Sequence, residues 1–450
     1  MDIVPIIDVG LGNSSYIVDL GDGSALVVDP ERDPSPYLAA AEQRNLRLRF
    51  TVETHLHADF VSGSRELIAA GAALLAPAGS DLSFDYRRLD DGDEIEIGGL
   101  TLRAIATPGH TPEHLAYLLS DDASPLALFS GGTLITGGVA RTDLLSPDLT
   151  EPLARAAFHS IRDRLLILPD ELPVYPTHGA GSFCSTASTG ERTTTIGRER
   201  RSNPLLQVDS EDDFVATLLG GLGSYPPYFG RLRDLNRAGP AVYGADPPVL
   251  RPLSPDEVAT LQTGGAVVVD ARPIDRYAAG HMPNSVSIEL RDQFGTWLGW
   301  LVDPNRPIVI VVDDDQDTTS LVWQTLNVGF EPPKGRLEGG ISAWRAAGRP
   351  VTQTDLVPPA DVSADRTIVD VRQLSEWQTN HVTGAIHVEL GDIAAQATSL
   401  EGDILLHCGH GQRAMTAASL LEQAGGEALA VITGGPREVT AALAGGHPPR

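Results

Sequence analysis

The residues best suited to chemistry fall in four short stretches. An apolar run, Ile404 to His407, leads into Cys408, Gly409, His410, Gly411, Gln412 and Arg413, and a helix-like segment, Ala414 to Gln423, follows. A strand, a tight loop and a helix N-terminus wrap backbone amides around a sulfur and set positive potential beside it, which favours the thiolate, the reactive form of cysteine. Cys408 and Arg413 are the candidate catalytic residues, with Arg413 placed to stabilise an anion. Gly409, His410, Gly411 and Gln412 form the candidate substrate-binding loop.

The other three stretches are histidine groups. His55, His57 and Asp59 follow a strand-like run, Arg49 to Glu53; His110 and His114 sit in a Pro- and Gly-stiffened turn from Thr107; His178 follows Pro176 and Thr177. Imidazoles and a carboxylate presented from strand ends can surround a metal ion. The candidate ligands are His55, His57 and His110, while His57, Asp59 and His178 have the alternative role of orienting ligands by hydrogen bonds. Cys184, between Gly181 and Ser185, reads either as a transient sulfur carrier or as a small buried apolar residue.

These groups need a framework, and the chain supplies alternating strand and helix signals. Ser15 to Leu20 and Ala25 to Asp29 flank Gly21, Asp22 and Gly23 and predict a hairpin. Pro36 to Arg44 and Ser64 to Ala70 predict helices, and Glu94 to Thr107 a pair of strands. From Ala180 to Gly244 the Gly, Ser, Thr and Pro content predicts long ordered loops around short helices, and Pro240 to Pro252 a linker. Beyond it lies an internal repeat of roughly 100 residues, in which Val267 to Arg272 overlays Ile368 to Arg372. The first copy carries Asp313, Asp314, Asp315, Gln316 and Asp317 where the second has the cysteine loop.

Together the histidine groups resemble the metallo-β-lactamase superfamily, and with the repeats the chain is similar to its persulfide dioxygenase and rhodanese-fusion branch. The resemblance implies an α/β multidomain protein: an αββα metallo-β-lactamase sandwich over residues 1–240, then two α/β rhodanese-like domains, 253–352 without an active-site cysteine and 360–450 with Cys408. It implies oxidation of a low-molecular-weight persulfide by dioxygen to sulfite at a mononuclear ferrous ion, with zinc or no metal as the alternatives. It further implies that Cys408 exchanges sulfane sulfur with thiosulfate or sulfite, a chemistry of sulfide detoxification. The branch holds its iron with two histidines, matched by His55 and His110, and an aspartate that aligns with Gly132, which has no ligand to offer. Three outcomes stay open: a three-histidine site using His57, a site using Asp59, or a metal-free domain. Phe60 stands where hydrolases of the superfamily have a second-metal histidine. A metal-dependent hydrolase of a thioester-like bond, or a scaffold with sulfurtransferase activity alone, are the rival functions.

Composition narrows the partners. The 450 residues carry a formal net charge of -27, which disfavours nucleic acid and anionic membrane surfaces. Two cysteines are too few for a disulfide framework, and the first 20 residues lack a signal-peptide pattern, so a cytoplasmic protein is expected. The sequence leaves a homo-oligomer open.

Overall fold

Period-two alternation of apolar residues builds the first part of the chain. Along Asn13–Asp19, Tyr16 and Val18 point to one side and Ile17 to the other; along Leu115–Asp121, Leu115, Tyr117 and Leu119 oppose Ala116 and Leu118. Strands with two apolar faces must be covered on both. In the computed structural model, which describes residues 2–122, 124–185, 190–363, 365–400, 402–426 and 429–445, two six-stranded sheets meet this need.

One sheet runs in the order β1 (Ile3–Asp8), β2 (Asn13–Asp19), β3 (Ser24–Val28), β4 (Arg47–Val52), β5 (Ala73–Pro77) and β6 (Arg87–Leu89). The other consists of β7 (Glu94–Ile97), β8 (Leu100–Ala106), β9 (Leu115–Asp121), β10 (Ser124–Gly131), β11 (Pro173–Pro176) and β12 (Thr194–Thr195). Tyr16, Leu26, Tyr117 and Phe129 pack in the layer between them. Helices Ser35–Gln43 and Ser64–Ala69 supply Tyr37, Ala40 and Leu67 to the outer face of the first sheet. Helices Pro147–His159 and Glu211–Gly220 cover the second sheet with Ala154, Ala157, Phe214 and Leu218. This is the expected αββα sandwich.

Residues 180–252 hold short helices, as expected. The stretch holds two ten-residue helices, Glu211–Gly220, capped by the Ser210 hydroxyl accepting from the Asp213 amide at 3.1 Å, and Phe229–Ala238. The segment from Gly239 is tied down at its start: Glu66 accepts from the amides of Tyr243 and Gly244, and Arg65 donates to the carbonyl oxygens of Gly239 and Pro240.

The chain divides into two compact units, Met1–Pro248 with Leu326–Phe330, and Val249–Thr325 with Glu331–Arg450. The second unit contains both copies of the repeat as five-stranded parallel sheets. The first is ordered β13 (Pro252–Leu253), β17 (Arg336–Leu337), β16 (Ile308–Val311), β14 (Val267–Asp270), β15 (Val286–Ser287). The second is ordered β18 (Asp355–Val357), β22 (Leu429–Ile432), β21 (Ile404–His407), β19 (Thr367–Asp370), β20 (Ile386–His387). Parallel strands require crossover connections, and helices supply them. The copies match in detail: Arg272 ion-pairs with Asp270 and Arg372 with Asp370, each at 2.6 Å and buried.

Among the described residues, no helix is long and apolar enough to cross a membrane.

Candidate metal centre and cysteine loop

The three histidine groups lie just beyond the C-terminal ends of β4, β8 and β11, and buried polar residues fix their loops. Asp29, at the end of β3, accepts from the amide and hydroxyl of Thr54, each at 2.7 Å, and from the hydroxyl of Thr177. One carboxylate thereby ties the residue before His55 to the residue before His178. The helix Phe229–Ala238 adds a second clamp. Arg233 donates to the Leu56 carbonyl and pairs with Glu113 at 3.1 Å, while Asn236 donates to the carbonyls of His57 and Phe60.

These constraints bring together His55, His110 and His178, whose ligand atoms all lie within 4.8 Å of one another in buried surroundings. Hydrogen bonding settles each ring's tautomer. The Thr54 hydroxyl gives its proton to Asp29, so its oxygen accepts from His55 Nδ1 at 2.8 Å. His110 Nδ1 donates to the Arg141 carbonyl at 2.7 Å, and His178 Nδ1 faces the Asn13 Oδ1 acceptor at 3.0 Å. With every Nδ1 acting as a donor, three Nε2 lone pairs remain. Those of His55 and His178 are 3.4 Å apart, and among the described residues His110 Nε2 is buried with no hydrogen-bond partner. Burial pushes His55 and His110 well below the ordinary imidazole range. Three converging, buried imidazole nitrogens form a group that could hold a metal ion, and the residues present fit one.

His57, expected beside His55 and His110, is turned the other way. Its Nε2 lies 3.0 Å from Glu53 and 3.2 Å from Asp29. Burial opposes a charge on this ring, but the two carboxylates outweigh it and raise its pKa to about 10. His178, read from sequence as an orienting residue, instead occupies the third place. Asp59 accepts from Asn13 at 2.8 Å, lies 3.3 Å from His178 Nδ1 and forms a neighbouring group of potential ligands with His57 and His178. Phe60 is buried and stacks on His57 at 4.2 Å.

Gly132 explains how the site manages without the expected aspartate. A Cβ at this position would lie 2.7 Å from His110 Cδ2 and 3.0 Å from Ala140 Cβ, so the imidazole occupies the direction a side chain would take. His114 holds the turn by accepting from the Gly132 amide at 3.0 Å, and burial lowers its pKa to about 3. Cys184 is fully buried, and burial raises its pKa well above the thiol value, which suits the packing reading better than the carrier reading.

In the second unit Cys408 lies at the bottom of its loop, with the Gly411 amide donating to Sγ at 3.1 Å. Gly411 has φ +101° and starts the helix Gln412–Gln423, so the loop needs glycine there. Gly409 is half-buried and His410 exposed. Arg413 does not point freely at the sulfur: its two terminal nitrogens bind Glu376 at 2.5 and 2.8 Å. The first copy has no such loop, and Asp313 and Gln316 there bond to each other.

Sequence reading missed Asp29, Glu53, Asn13, Arg233 and Asn236. They lie far from the histidines in sequence or look like ordinary surface residues, and only Asp29 carried a signal, as a carboxylate at a buried strand end.

Comparison with known proteins agrees with this architecture. Residues 7–178 match the metallo-beta-lactamase superfamily, and residues 254–347 and 359–442 each match the rhodanese-like domain. Human mitochondrial persulfide dioxygenase is 32% identical over 210 residues, 45% of this chain and 74% of the human protein. A hydroxyacylglutathione hydrolase of Rhodopseudomonas palustris is 31% identical over 250 residues, 49% of this chain and 93% of the hydrolase. The crystal structure of a Staphylococcus aureus metallo-beta-lactamase superposes with a TM-score of 0.66 at 26% identity, covering 75% of this chain and 98% of the other. The chain belongs to the metallo-β-lactamase superfamily, with persulfide dioxygenases among its homologues, and joins that domain to two rhodanese-like domains.

Proposed function

We propose that this protein works in sulfur metabolism: residues 1–240 oxidise a low-molecular-weight persulfide to sulfite, and Cys408, in 360–450, transfers sulfane sulfur, so that thiosulfate is the combined product. The observation that carries the reading is the convergence of three Nε2 lone pairs from His55, His110 and His178. It is supported by the persulfide dioxygenase relative and by the cysteine loop in the same chain.

His55, His110 and His178 would hold a mononuclear ferrous ion, which when bound supplies dioxygen activation. Three neutral imidazoles leave more positive charge at such a centre than a set containing a carboxylate, and so favour an anionic persulfide. The protein's own task is to fix the rings: Thr54, the Arg141 carbonyl and Asn13 hold the three Nδ1 atoms. Overall, persulfide, dioxygen and water give thiol and sulfite, with four electrons passing from sulfur to oxygen. At the second centre Cys408 thiolate takes the outer sulfur of a persulfide and releases the thiol. Sulfite then takes that sulfur, forming thiosulfate and restoring the thiolate.

Oxygen uptake on adding glutathione persulfide to protein reconstituted anaerobically with ferrous iron tests the first half. Uptake absent in wild-type protein, or undiminished in H55A/H110A, would remove it. The pairing of His57, Asp59 and His178, with the hydrolase relative, favours a second reading, thioester hydrolysis; turnover without oxygen is its signature.

A further inference from the structure

The copy that lacks a cysteine places two residues at the Cys408 loop of the other copy. Ile274, at the start of helix Ile274–Ala279, puts its Cδ1 2.9 Å from where a Cβ on Gly411 would lie. Just after β15 comes Arg291. Its approach is anchored by the Ser287 amide donating to Ser419 Oγ at 3.0 Å, on the helix that begins at the cysteine loop, and by the Leu290 amide donating to the Ala271 carbonyl. The copies hold together elsewhere through His281 and Glu422 at 2.9 Å and Gln423 and the Asn284 carbonyl at 2.9 Å.

Arg291 is half-buried, and its one hydrogen bond among the described residues goes to the neutral amide of Gln293; it makes no ion pair there. A guanidinium removed from water is ordinarily paired. Burial first, and then Arg413, disfavour its charge, whereas Glu289 and then the Cys408 sulfur favour it. Arg413 is ion-paired with Glu376, whereas Arg291 makes no ion pair among the described residues and feels the Glu289 carboxylate only from a greater distance. In the second copy the equivalent position is Gly391, where Trp300 of the first copy fills the space a side chain would need.

We propose that Arg291, donated by the cysteine-less copy, is the recognition residue for the sulfonate end of thiosulfate and sulfite at Cys408. The inference rests on the sulfur-transfer reading of that cysteine. Cys408 thiolate attacks the outer sulfur of thiosulfate, a new sulfur–sulfur bond forms as the old one breaks, and the electron pair leaves with sulfite, whose oxygens Arg291 binds. Reversal uses the same contact for sulfite as acceptor.

Two measurements on the full chain test this. The first is the rate of Cys408 alkylation by anionic iodoacetate relative to neutral iodoacetamide, read on the Cys408 peptide by mass spectrometry. The second is kcat and KM for thiosulfate with cyanide as acceptor. In R291Q the alkylation ratio falls about tenfold and KM for thiosulfate rises about tenfold, with kcat within about threefold of wild type; R291K restores most of both. An unchanged ratio, or an unchanged KM, overturns the assignment. If the ratio falls but wild-type protein transfers no sulfur, the anion site stands and the sulfur-transfer reading alone fails.

Discussion

His55 Nε2 and His178 Nε2 stand 3.4 Å apart, while the Nδ1 of each ring already faces an oxygen. Two lone pairs at that separation repel unless a proton or a metal cation lies between them. His57, two residues from His55, faces carboxylates instead.

The two histidines therefore respond differently to removal. H178A lowers iron bound after anaerobic reconstitution at least about tenfold, since a ligand is lost outright. H57A keeps iron near the wild-type level but melts earlier, because it strips the cation from between Asp29 and Glu53. Metal analysis and thermal melting on both variants decide the matter; equal iron loss would reinstate the set His55, His57 and His110.

The two chemistries are separable by substitution. C408S abolishes sulfur transfer from thiosulfate to cyanide and leaves persulfide-dependent oxygen uptake intact, with sulfite rather than thiosulfate accumulating. Transfer at the wild-type rate in C408S would contradict the assignment of that loop.

The Glu376–Arg413 pair gives a pH signature. Burial favours the protonated acid at Glu376, but Arg413 outweighs it and holds the carboxyl below its ordinary value of 4.5. A depressed folded pKa contributes stability that is complete above the unfolded value and disappears as pH falls through the folded one. E376Q should cost ~0.5–1 kcal/mol at pH 6, since solvent screens a partly exposed pair, and the gap in melting temperature from wild type should narrow below pH 4.5. A gap constant down to pH 3 would mean the pair contributes nothing.

Restoring a carboxylate beside the metal site should fail. In G132D the new Cβ meets the His110 ring at 2.7 Å, and overpacking of this kind costs ~1–3 kcal/mol. Chemical denaturation should show that loss, and oxygen uptake should fall; a stable, faster G132D would show that the ring moves freely.

Much of the framework was legible because burial imposes its own period. The hairpin predicted over Ser15 to Leu20 and Ala25 to Asp29 is β2 and β3, shifted by one or two residues, because both strands bury both faces. The repeat was visible because its Asp–Arg pairs are buried ion pairs that recur in sequence. The helix Phe229–Ala238 escaped because its buried face includes Arg233 and Asn236, which grip carbonyls of the histidine loop, so no apolar stripe marks it. His178 and His57 could not be ranked by spacing: both follow strand ends, and the choice is made by Asp29 and Glu53, which draw one ring away. Arg291 gave no signal, since its meaning depends on a loop more than a hundred positions later in the chain.

The way His110 lies across Gly132 also bears on descent. Once a lineage has lost the aspartate and the ring has settled into the vacated space, a single reversion meets a collision rather than a waiting ligand position. Return would need the ring, or Ala140 beside it, to change in the same step. The loss therefore works as a ratchet, and relatives that carry glycine here should form a clade without revertants.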